Sequence, residues 1–248
     1  MRVKLLSAYV VGLGVAVAMV AAQARTPTQA PTQTESQART SPPTLDELRR
    51  AVSGLRGGRI KRPGSYDELT PDQKTLVSSV LGGPRRGIDG SLGVMMVSPA
   101  FADHMQKAVA YARFAGRDGY SIVPPKLTEL AIIMGARAWN AQYAWYVHRR
   151  AAVTAGLSEQ IVVAVRDGKR PAAMQQDERA VYDFCNELLT TREVSDATFQ
   201  AARNVLGGDR GVIDLVATLG SYQVVAMMMV VDRFPLPDGT EPELRPLK

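Results

Sequence analysis

The sequence predicts an all-α fold, a helical bundle, on three observations. Apolar residues recur at i, i+3 and i+4 spacing in one segment after another from residue 44 onwards. Residues that start and stop helices punctuate those segments, among them Thr70-Pro71, Ser195-Asp196, Gly168 and Gly207-Gly208. No segment alternates apolar with polar residues between hairpin turns, as a half-buried strand would.

Taken in order, the chain opens with an export signal. Arg2 and Lys4 precede an apolar run from Leu5 to Ala22, and Ala22-Gln23-Ala24 supplies the small-x-small pattern of a signal-peptidase site. Residues 1–24 are therefore expected to be removed, giving a periplasmic or secreted protein; the alternative is an uncleaved anchor, since the run approaches membrane-spanning length. Cleavage would leave 224 residues and lower the formal charge from +6 to +4. That charge is dispersed along the chain, so neither a nucleic-acid footprint nor a membrane-binding patch is expected after cleavage. An exported chain with one cysteine has no internal disulfide, and Cys185 sits in the apolar pattern of Ala180, Val181, Phe184 and Leu188, as a small buried hydrophobe would.

Residues 25–43 are rich in Thr, Gln, Pro, Ser and Ala and read as a flexible tether. Leu45, Leu48, Val52 and Leu55 then mark a short amphipathic helix within an extension, residues 44–65, ahead of the main domain at 66–237 and a tail at 238–248. Thr70-Pro71 opens the next helix, to about Leu81. The stretch Gly82-Gly83-Pro84-Arg85-Arg86-Gly87 lacks the Lys-Ser/Thr of a phosphate-binding loop and follows no strand, so it reads as a solvated linker. Ser98-Pro99 begins a helix with an apolar side of Phe101, Met105, Val109, Ala112 and Phe114. Later helices are predicted over 158–165, 176–189, 195–206 and 209–231, with Ser195, Asp196 and Asp209 as N-terminal caps. The last is apolar enough to suggest a membrane span, but Asp214, Ser221 and Gln223 interrupt it and favour a core or subunit-interface helix.

Chemistry concentrates between Leu127 and His148. Leu127, Leu130, Ala131, Met134 and Ala138 share one helical face, and Ala141, Ala144, Trp145, His148, Ala152 and Ala155 share another. Glu129 and His148 can meet only if the chain reverses near Trp139-Asn140, where Asn140 is a fitting breaker. A carboxylate and an imidazole in contact make a general acid–base pair; equally, they make a buried polar tie between two helices. The pair is expected about 3 to 6 Å apart, directly or through one water, at the wall of a cavity that includes Ala141 or Ala144. Trp139, Tyr143 and Trp145 are candidates to wall that cavity for a ring-shaped substrate, and Arg137 to hold a carboxylate, with Arg149, Arg150 and the remoter Arg113 behind it. His104 is the other histidine, and no ligand cluster with zinc-like spacing occurs, so no metal is expected.

This stretch resembles the carboxymuconolactone decarboxylase family, which includes the AhpD-like alkylhydroperoxidases. The peroxidase branch carries Glu, then Cys-x-x-Cys, then His; counted from Glu129, its cysteine positions fall on Ala141 and Ala144 and its histidine on His148. Further likeness runs through Leu69-Thr70-Pro71-Asp72-Gln73, Gly82-Gly83-Pro84-Arg85, Ser98-Pro99, Ala155-Gly156-Leu157-Ser158-Glu159, Asp177-Glu178-Arg179-Ala180-Val181 and Val194-Ser195-Asp196-Ala197-Thr198. The resemblance implies an AhpD-like helical bundle that assembles as a homo-oligomer, a trimer or a hexamer. For the decarboxylase branch it implies proton transfer on a small cyclic acid with neither metal nor organic cofactor, His148 moving the proton and Glu129 orienting it. Thiol peroxidase chemistry needs two sulfurs, and both positions are alanine. A non-catalytic member that binds a small molecule, or only assembles, is the competing expectation.

Overall fold

A computed structural model describes residues 41–55, 57–85 and 87–247, so the expected signal peptide and most of the tether lie outside the described residues. Ten α-helices follow one another and no strand is present among those residues: α1 Leu45–Val52, α2 Pro71–Gly82, α3 Ser91–Met95, α4 Pro99–Arg113, α5 Pro125–Ala138, α6 Gln142–Thr154, α7 Glu159–Arg166, α8 Gln176–Thr190, α9 Asp196–Val205 and α10 Asp209–Asp232. The chain is all-α, as its periodicity predicts.

Local signals set most of the boundaries. Thr44 and Glu47 form a capping box on α1, and Thr70 with Gln73 forms another on α2, where Pro71 takes the first helical position. Ser158 and Ser195 accept hydrogen bonds from the backbone N–H groups of Ile161 and Thr198, capping α7 and α9. Asp209 is not the cap expected of it: Gly208 holds that position at φ +105°, and Asp209 follows as the first helical residue, where its charge faces the helix N-terminus. α3 has no counterpart in the sequence reading, because five residues, all buried, are too few to show a helical period.

The centre of the bundle is α5. Every residue from Leu127 to Arg137 is buried, and α6, α8, α10, α7 and α4 all pack around it. One apolar face was expected; the helix is instead wrapped on all sides, with Ala138 exposed just past the buried run. Gly135 is where α10 comes closest, since a Cβ there would stand 3.0 Å from the Gln223 amide nitrogen and 3.6 Å from Leu219 Cδ1. α10, which alone among the described helices has the length and composition to cross a membrane, lies to one side of α5. Val212, Leu215, Leu219, Tyr222, Val225, Ala226 and Met229 face inward on it, while Ile213, Val216, Val230 and Val231 are exposed.

Residues 44–65 stand ahead of the bundle in sequence and pack into it in space. Leu48 and Val52 share a buried cluster with Leu76, Val80, Leu92 and Met96. The segment after α1 is clamped to the end of α10 by Asp232, whose carboxylate accepts from the Ile60 N–H at 2.8 Å and pairs with Arg62 at 2.5 Å, while its carbonyl accepts from the Arg59 N–H at 2.7 Å. The far end of the chain is bound as firmly. Leu244 is buried in the main core, and its backbone exchanges two hydrogen bonds, 2.7 and 3.1 Å, with the Gln142 side chain.

Candidate functional site

The α5–α6 corner turns at Asn140 in the left-handed region, φ +48°. Asn140 N–H bonds to the Arg137 carbonyl and Ala141 N–H to the Ala136 carbonyl, a Schellman ending with asparagine where glycine is commonest. That reversal lays α6 back along α5 and brings together two side chains 19 residues apart. His148 Nδ1 stands 2.8 Å from Glu129 Oε2, with both residues buried. With the carboxylate ionised, Nδ1 carries the shared proton, which leaves Nε2 to accept or deliver another.

The third member of the site comes from α10. Tyr222 packs edge-on against the imidazole, ring centroids 4.9 Å apart at 83°. It is 3 % exposed, and its hydroxyl is buried with it. Burial pushes the Tyr222 phenol above its usual range; Arg113, by its charge and by a hydrogen bond, and Arg85 pull against that shift, and Glu129 adds to it. Burial also lowers the Arg85 guanidinium, with Tyr222 opposing, Arg113 adding repulsion and Asp89 opposing. The charges of Arg85 and Arg113 thus both act on this buried phenol, whose ring lies against His148. Tyr222 and Arg85 were missed: α10 reads as an apolar helix, and Arg85 sits in a glycine-rich stretch that was expected to be solvated. Arg113, only a remote candidate, is the expected cation whose charge acts on Tyr222.

The other candidates have different occupations. Arg137 is buried and donates to the Asn140 side chain and, at 2.7 Å, to the Arg245 carbonyl. Trp145 is 1 % exposed and its indole N–H donates to Glu243 at 3.1 Å, while Arg149 pairs with Glu243 at 2.7 Å. These side chains hold the returning tail. Trp139 is 41 % exposed, with its indole N–H donated to Gln223. Tyr143 stacks obliquely on Phe234, centroids 4.5 Å apart.

The cavity is displaced from where it was expected. A 210 Å³ cleft is lined by Asn140, Ala141, Gln142, Tyr143, Met229, Val230, Arg233 and Phe234, so it includes Ala141 and Tyr143 but neither Glu129 nor His148. The cause is Tyr222, whose ring fills the space beside the imidazole that small neighbours were expected to leave open. Cys185 is fully buried in the main core, which pushes its thiol up to about 12.

No protein-family model matches the chain, and no curated protein does. Among solved structures, the chain is similar to a protein of unknown function from Agrobacterium tumefaciens, described there as a candidate antioxidant defence protein AhpD. The likeness has a TM-score of 0.48 at 15 % identity and covers 60 % of this chain and 99 % of that one.

Proposed function

We propose that this is an exported, cofactor-free acid–base catalyst of the decarboxylase or lyase type, acting on a small cyclic or aromatic-derived acid. The observation that carries the reading is the buried 2.8 Å contact between His148 Nδ1 and Glu129 Oε2. Glu129 fixes the tautomer and orientation of the ring, so that Nε2 is the atom that handles the substrate's proton. In a decarboxylation the electron pair of the breaking C–C bond stays on the ring carbon, which takes a proton from Nε2, while carbon dioxide leaves. Thiol chemistry is disfavoured by Ala141 and Ala144 and by a Cys185 thiol that burial keeps protonated. The test is carbon dioxide release from a panel of small cyclic keto- and lactone-carboxylic acids. Turnover by the wild type that falls at least about a hundredfold in a folded His148→Gln variant is expected, within the range of general acid–base catalysis. Release that is unchanged in that variant would overturn the reading.

The second reading is assembly or binding without catalysis. It rests on the outward face of α10, where Ile213, Val216, Ala217, Gly220, Val230 and Val231 form an exposed apolar stripe along the helix. A homo-oligomer, trimer or hexamer, would cover that stripe and is compatible with the catalytic reading as well.

A further inference from the structure

The cleft at the end of α10 takes no part in the acid–base reading. Neither Glu129 nor His148 lines it, and Met229 on its wall stands seven residues, about 10 Å of helix, beyond Tyr222, which packs on the imidazole. Its 210 Å³ holds about seven waters at ~30 Å³ each, which is room for one ring with a short substituent. The floor is apolar: Ala141, Met229 and Phe234 are buried, and the Tyr143 ring lies 4.5 Å from that of Phe234. It is seated on Gly90, where a Cβ would stand 3.4 Å from Tyr143 Cε1 and 3.7 Å from the Met229 methyl. The rim is polar, and its charge is of one sign. Arg233 has no ion pair among the described residues, and no carboxylate lines the cleft. Asp232, beside it in sequence, is fully buried and occupied by Arg62 and by the Ile60 and Arg59 N–H groups. Asn140 accepts from Arg137 through Oδ1, which leaves its amide N–H groups to donate.

Of the three non-glycine residues with positive φ among the described residues, Asn140 at +48° and Arg233 at +52° both line this cleft. Asparagine is at home in that region; arginine is not, and at the end of α10 glycine would serve the backbone better. What Arg233 adds is a charge at the mouth of an apolar cleft, and backbone outliers of this kind gather at ligand sites. We infer that the cleft is a binding site for a small aromatic monocarboxylate, separate from the Glu129–His148 pair, with the ring against Met229, Tyr143 and Phe234 and the carboxylate accepting from Arg233 and Asn140. Charge selects a single negative group, because Arg233 is the one lining residue with a formal charge, and a planar carboxylate matches a guanidinium fork. The apolar floor selects a ring over an aliphatic or inorganic anion, which would leave Met229 and Phe234 facing water.

The experiment is calorimetric titration of the purified mature protein with sodium benzoate, and in separate arms benzyl alcohol, sodium acetate and sodium phosphate, at constant ionic strength set with sodium chloride. Saturable benzoate binding is expected, with each of the other three weaker by about tenfold or more. Arg233→Gly should weaken benzoate binding about tenfold or more while melting no lower than the wild type, because it removes the cation and relieves the left-handed residue. Asn140→Gly, which also suits its turn, should weaken binding less. His148→Gln should bind benzoate as the wild type does, so failure of the acid–base reading and failure of this site give different results. The inference is overturned if benzoate does not bind, if benzyl alcohol, acetate or phosphate matches it, or if binding survives Arg233→Gly. It is equally overturned if His148→Gln abolishes the binding, which would move the carboxylate to the Glu129–His148 pair.

Discussion

Replacing His148 with alanine tests how the Glu129–His148 pair is held. The two side chains are 7 % and 6 % exposed, and the Nδ1–Oε2 contact is 2.8 Å. Removing the imidazole strands a carboxylate in the core and takes away the ring that Tyr222 packs against. Breaking a buried pair from one side costs about 3 to 5 kcal/mol, far more than the pair contributes relative to apolar replacements. For a domain of this size each kcal/mol lowers the melting temperature by about 2 to 4 °C, so His148→Ala should melt about 6 to 20 °C below the wild type. Glu129→Gln keeps an acceptor and the side-chain volume, and should lose only about 1 kcal/mol. The double substitution Glu129→Met with His148→Leu removes both polar groups and should recover most of the loss, giving a coupling energy of about 1 kcal/mol or more. The assay is urea unfolding followed by circular dichroism, with the m-value checked for constancy. A His148→Ala loss under about 1 kcal/mol, or a double variant that merely adds the two single losses, would refute the reasoning, since the pair would then be solvated or uncoupled. If the reasoning holds, the imidazole supports the fold as well as the site, and activity in its variants has to be measured well below their melting points.

The clamp at the end of α10 follows the same logic: Asp232→Ala strands Arg62, which is 3 % exposed, and should cost about 3 to 5 kcal/mol in the same unfolding assay, with Arg62→Met restoring much of it. No recovery in that double variant would mean that the Asp232 bonds to the Ile60 and Arg59 backbone, and not the ion pair, do the holding. Cys185, with its thiol pushed up to about 12, should resist a chromogenic disulfide reagent in the folded protein at pH 8 and react fully in denaturant; rapid labelling of the native state, or hydroperoxide reduction lost in Cys185→Ser, would contradict it. The exposed stripe on α10 should be covered in solution, so light scattering at micromolar concentration should show a trimer or hexamer that Val216→Lys dissociates; a monomeric wild type would sink this expectation.

Much of the fold was legible because its signals are local. Thr70-Pro71, Ser158 and Ser195 act within a turn of where they stand, and Asn140 bends the chain through its own backbone. The pairing of Glu129 with His148 followed from that one reversal. What was not legible depends on partners remote in sequence. An aromatic and an arginine next to a histidine look like pocket walls, yet Trp145 and Arg137 are bonded to Glu243 and Arg245, about a hundred residues further on. Tyr222 is one polar atom in an apolar helix, and nothing in its own segment says that its ring meets His148. Arg85 follows glycines and proline, whose composition predicts exposure, yet it is half-buried.

The docking of Leu244 on Gln142 has a kinetic consequence. The two hydrogen bonds close a loop of 102 positions, for which the chain entropy lost is about 4 kcal/mol before any contact rewards it. Until that closure, the Gln142 amide, the Trp145 indole and the Arg137 guanidinium have no tail to bond to, although α5 and α6 can already have paired through neighbouring residues. The corner that carries the Glu129–His148 pair is thus built from adjacent sequence and sealed by distant sequence. The slow step of refolding is therefore expected to be the return of residues 236–245, and a chain truncated before Leu236 that refolds no faster than the whole would refute this.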